Sequence, residues 1–178
     1  MGRKGNGYGS EWHFEHYRRV LPDALDQQIR RNIGRTDARI EWVYPDAGAF
    51  AKEPRGLEFL KTDPSQRETL EAWRAFWPQT GSPPNWDGVA RDATSGEWLL
   101  FETKANHPEF CSHVCGAVGK GRALIESTMS KVKRHLSVHR DFQWLGTYYQ
   151  YANRLACLLF FECPQKGPRT LGPRLLHR

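Results

Sequence analysis

The stretch from Asn85 to Ala105, NWDGVARDATSGEWLLFETKA, constrains the fold more than any other part of the chain. Trp86 to Arg91 and Glu97 to Ala105 carry β-branched or large apolar residues. Asp92-Ala93-Thr94-Ser95-Gly96 between them is turn chemistry, so a β-hairpin is predicted. With Ala93 to Gly96 as the loop, Asp92 pairs with Glu97, and Asp87 comes opposite Glu102. Side chains alternate along a strand, so Glu102 and Lys104 share one face while Leu99, Phe101 and Thr103 point the other way. A slip of one residue would send Asp87 to the opposite face, which makes the arrangement depend on this register.

In that register one hairpin face carries two carboxylates and one ammonium group. Converging carboxylates repel unless a cation sits between them. Magnesium suits such a place, because it takes oxygen ligands, keeps several waters and is usually held by one or two carboxylates plus substrate phosphates. The candidate metal ligands are Asp87, Glu102 and the backbone carbonyl of Thr103, for Mg²⁺ or Mn²⁺. Such an ion makes water a better nucleophile and stabilises charge developing on a phosphoryl oxygen. Lys104 would orient the attacking water or neutralise the transition state. The competing reading of the same residues is a solvated ion pair on an exposed hairpin face.

At 178 residues the chain is long enough for a proper core. Its net charge of +6 favours a polyanionic partner. No apolar run approaches membrane-spanning length, so no membrane partner is expected and a cytoplasmic location is. The four cysteines, Cys111, Cys115, Cys157 and Cys163, are expected as thiols rather than as a disulfide framework. His107, Cys111, His113 and Cys115 cluster in the sequence. Their spacing fits no familiar zinc pattern, so a plain structural role is the first reading and a small zinc site the second.

Along the chain, Met1 to Gly9 is Gly-rich and basic and is expected to be flexible. Ser10 is placed to cap a helix through Val20, and Pro22 to open a second one that Gly34 stops. Ile40 to Tyr44 reads as a strand. Ala47 to Thr62 reads as a loop with a short helix. Asp63-Pro64-Ser65-Gln66 has the form of a capping box, ahead of a helix presenting Leu70, Trp73, Phe76 and Trp77. After the hairpin comes a loop with Gly116, Gly119 and Gly121, then a helix over Arg122 to Val138. Lys120, Arg122, Lys131, Lys133 and Arg134 on or near this helix are candidate phosphate contacts, against the alternative of a basic solvated face. A last helix is expected from about Asp141. Leu155 to Phe161 could continue it or form a strand, and Pro164 to Arg178 reads as a basic Pro-rich tail.

Asp87, Glu102 and Lys104 resemble the three motif positions of the PD-(D/E)XK nuclease superfamily. Phe76-Trp77-Pro78, Asn85-Trp86-Asp87, Glu102-Thr103-Lys104-Ala105 and Tyr149 to Arg154 resemble a mostly uncharacterised bacterial group within it. The resemblance runs from about Asp63 to Arg154. It implies a restriction-endonuclease-like α/β fold, a mixed β-sheet flanked by α-helices, with one more strand after the last helix. It also implies that Gln150 faces the active site as a further catalytic residue, that Tyr149 and Arg154 are weaker candidates, and that Glu71 is an added acidic residue.

The expectation from the sequence is thus a single domain over residues 10–163, between the basic N-terminus (1–9) and the tail (164–178). Its expected activity is metal-dependent hydrolysis of phosphodiester bonds in DNA, with RNA as the second substrate. Homodimerisation is left open. The alternative is a catalytically inactive nucleic-acid- or protein-binding domain with the same fold.

Overall fold

A computed structural model describes residues 9–45, 52–81, 83–138, 143–162 and 174–176. The chain is mixed α/β and divides into two compact units. One is built from residues 1–54, 86–109 and 170–178, the other from residues 55–85 and 110–169. The expected flexible N-terminus, apart from Gly9, lies outside the described residues.

The first unit opens with α1 (Ser10–Val20) and α2 (Pro22–Ile33). Gly9, at φ 89°, is the cap of α1, and no side chain caps it. Ser10 is already the first helical residue, and its hydroxyl goes to Glu109 instead. Pro22 starts α2, and Gly34 ends it in the left-handed conformation at φ 70°, as the sequence predicts. Three antiparallel strands follow: β1 (Ile40–Tyr44), β2 (Gly88–Asp92) and β3 (Glu97–Phe101). The β2–β3 register is the predicted one, with Asp92 opposite Glu97 and Gly88 opposite Phe101.

Ala90, Leu99 and Phe101 meet Phe14, Ile29, Ile33 and Ile40 in one buried cluster, so α1 and α2 cover a single face of the sheet. The sheet leaves no room at Gly88, where an added Cβ would lie 2.6 Å from Phe14 Cζ. A fourth strand, β4 (Arg174–Leu176), runs parallel to β3 and pairs Leu100 with Leu175. The sheet is therefore mixed, with the order β1-β2-β3-β4.

β4 corrects the reading of the C-terminal residues. The extra strand is not formed by Leu155 to Phe161. It lies within the stretch read as a tail, and its ladder comes from β3, far away in sequence.

The second unit begins with a bridge between Arg55 and Asn85 and a bond from Gly56 N–H to Pro84 O of 2.6 Å. The 3₁₀ turn Glu58–Thr62 buries Phe59 and Leu60 completely. Asp63 Oδ1 accepts from Ser65 N–H, as the capping motif predicts. The box does not close through Gln66, because the Asp63 N–H already donates to Leu60 O. Gln66 is buried and donates to Ser65 Oγ. After the turn Pro64–Gln66, α3 (Arg67–Phe76) stacks Trp73 on Trp77 and sets it edge-on to Phe160.

α4 (Gly119–His135) starts three residues ahead of the expected Arg122. Thr128 Oγ1 on its buried face donates to Phe76 O, tying α4 to the end of α3. α5 (Tyr149–Glu162) starts later than expected, because residues 144–148 form turns, and it carries Leu155 to Phe161 within it. Ala156 and Cys157 are fully buried, and the apolar run forms about two turns of a largely buried helix.

Candidate active site

The open end of the β2–β3 hairpin carries the predicted trio. Asp87 stands just before β2 and Glu102 just after β3, each one step beyond the last ladder pair, Gly88 with Phe101. Asp87 Oδ2 accepts two hydrogen bonds from Thr103, one from the backbone N–H at 2.6 Å and one from Oγ1 at 2.8 Å. Lys104 Nζ forms an ion pair with Glu102 Oε1. Glu102 is buried, and the Lys104 side chain is only 15 % exposed, so this pair is not the solvated surface pair of the competing reading.

Burial pushes the Asp87 carboxyl above the ordinary aspartate range, and the nearby Glu102 carboxylate adds to the push. The two Thr103 hydrogen bonds and the Lys104 charge pull it back in part. The two carboxylates thus feel each other's charge in a largely desolvated place. Thr103 enters the site as a donor to Asp87 through both its amide and its hydroxyl, a role the sequence reading did not assign.

Among the described residues, no group of three or more His, Cys, Asp or Glu side chains is placed to hold a metal ion. His107, Cys111, His113 and Cys115 accordingly form no such group. Cys115 is buried, and its sulfur bonds the Tyr149 hydroxyl. An ion at Asp87 and Glu102 would have two side-chain carboxylates and would complete its shell from backbone, water and substrate oxygens. That donor set fits magnesium or manganese better than zinc.

The other candidate residues belong to the second unit. Gln150 lies in the first turn of α5 with its backbone N–H on Ser112 Oγ, and its carbonyl accepts from Arg154. Glu71 is exposed and paired with Arg67, the ordinary i, i+4 partner of a surface helix. Along α4, Lys120, Lys131 and Arg134 are exposed. Arg122 bonds Glu126 and the Cys115 carbonyl, and Lys133 lies over the Trp144 ring.

Sequence reasoning missed Arg35, which reaches Asp92 and Glu97 at the turn end of the hairpin, and Arg55, which lines a cleft in the second unit. Arg55 sits in the pattern-poor stretch Ala47 to Thr62, and a lone arginine there carries no signal. No family model, curated protein or solved structure matches the chain.

Proposed function

We propose that the chain is a divalent-metal-dependent nuclease of the PD-(D/E)XK type, with a restriction-endonuclease-like fold, hydrolysing phosphodiester bonds of DNA in preference to RNA. The observation that carries this reading is the coupling of Asp87 and Glu102. Both sit at the open end of one hairpin, and the charge of Glu102 helps to hold the Asp87 carboxyl above its usual range. A site that raises a carboxyl by burial and a like charge is prepared for a cation.

Asp87 and Glu102 would hold Mg²⁺ or Mn²⁺. When bound, the ion would polarise a water and offset charge on the phosphoryl oxygens. Thr103 fixes Asp87 by donating to Oδ2, and Asp87 would hold the ion from that fixed position. Lys104 keeps a positive charge beside the reacting phosphate and orients the attacking water. The net charge of +6 and the exposed Lys131 and Arg134 on α4 favour a polyanionic substrate. Gln150 is proposed as a further catalytic residue on the resemblance alone.

The test is incubation with single- and double-stranded DNA and RNA in Mg²⁺ or Mn²⁺, comparing the wild type with Asp87→Asn and Lys104→Ala. The reading predicts metal-dependent cleavage, reduced on the order of 100- to 1000-fold in each variant. One observation favours a second reading, binding without turnover: the Lys104 ammonium is paired with the Glu102 carboxylate. Nucleic acid bound equally by all three proteins and cut by none would replace the nuclease with that binding domain.

A further inference from the structure

We infer that the second unit binds a nucleotide unit, a base carrying a phosphate, in a cleft of its own. The cleft measures about 740 Å³, within the usual span of small-molecule sites, and every residue lining it belongs to that unit. It does not depend on hydrolysis at Asp87.

The charge on its wall is one-sided. Arg55, His113 and Arg154 line it, and no lining residue is an aspartate or glutamate. Arg154 is buried and held in orientation, donating to Gln150 O at 2.8 Å, Asn153 Oδ1 at 3.1 Å and Asn85 O at 3.0 Å. Arg55 is exposed and anchored on Gly81 O at 3.0 Å. Two positioned guanidinium groups suit an anion with several oxygens, and phosphate above all. The start of α4 reinforces them. Val118 and Gly121 line the cleft, and no side chain caps this helix, so its positive end adds to the field.

The rest of the lining is of another kind. Pro78, Pro83, Ile125 and Tyr149 give apolar walls for a flat ring, while the amides of Asn85 and Gln150 offer donors and acceptors to a base edge. Inorganic phosphate would leave the apolar walls unused, and a nucleoside would leave the arginines unused. The combination selects a nucleotide. A free nucleotide and the 5′-phosphorylated end of a strand share this unit.

Calorimetric titration of the full chain in EDTA, where no cleavage can occur, tests the inference. The probes are nucleoside 5′-monophosphates, the same nucleosides without phosphate, inorganic phosphate, and a 5′-phosphorylated tetranucleotide. The monophosphates or the tetranucleotide should bind at least about tenfold more tightly than nucleoside or phosphate alone, a factor of ten being a resolved difference in Kd. Whichever of the two binds more tightly identifies the natural source of the unit. Arg55→Ala should weaken that binding without lowering Tm. Arg39→Ala, which removes an exposed charge in the first unit, should bind as wild type does. Absence of binding, equal binding of nucleoside or phosphate alone, or equal weakening by Arg39→Ala would overturn the inference.

Discussion

The two ends of the β2–β3 hairpin both set an aspartate against a glutamate, yet they hold those acids in opposite ways. At the turn end, Asp92 is fully buried and faces Glu97. Arg35 pairs with both, and Ser95, the Thr94 N–H and the Arg39 N–H donate to Asp92 as well. At the open end, Asp87 accepts two hydrogen bonds from Thr103, the ammonium of Lys104 sits on Glu102, and the Asp87 carboxyl is raised. Carboxylates saturated by donors hold a fold together. A pair whose burial and like charge raise one carboxyl is what an added cation can stabilise.

The largest effect is expected at the turn end. Arg35→Ala strands Asp92 and Glu97 as buried charges and should cost about 3–5 kcal/mol in urea unfolding. Lys104→Ala should cost clearly less, because protonation of the raised Asp87 can relieve the open end. Equal losses from the two variants would mean that both ends are structural clamps, and the contrast would fall.

Next in size is Asp87→Asn. It should remove cleavage by the factor given above while leaving the protein folded, since an asparagine oxygen still accepts from Thr103. A smaller effect is expected of Gly88→Ala. The added methyl group must displace the Phe14 ring, which packs on Phe101, at about 1–3 kcal/mol of stability. That loss would show that the ladder step beside Asp87 is set by close packing.

The smallest effect is the pH dependence. The folded Asp87 pKa lies above the ordinary 3.8, so between the two values the folded state binds more protons than the unfolded state. The favourable contribution is therefore complete below the unfolded value and is lost as pH rises through the folded one. Relative to Asp87→Asn, the wild type should lose stability from acid towards neutral pH, and Mg²⁺ should restore it. Parallel stability profiles for the two proteins in metal-free buffer would contradict the raised carboxyl.

Much of the first unit was legible because its signals are local. Pro22 and Gly34 bracket a helix, and the turn residues Asp92 to Gly96 fix a register that sets Asp87 against Glu102. β4 was not legible, since three residues in a Pro-rich stretch have no period of their own and become a strand by pairing with β3. Arg35 escaped for a related reason: its partners lie some sixty positions further on, and an arginine after a helix-stopping glycine looks like any surface charge. The placement of Asp87 and Glu102 at the open end could be read from residue type and alternation. The donation from Thr103 to Asp87 could not, because it depends on how the strands leave the ladder.

The most direct test is a titration of the Asp87 side-chain carboxyl by carbon-detected NMR, with and without Mg²⁺, using Asp87→Asn to assign the resonance. The prediction is a midpoint above 3.8 in metal-free protein that falls when Mg²⁺ is added, because the ion stabilises the charged form. A midpoint that does not respond to Mg²⁺ would contradict a metal site at the open end of the hairpin.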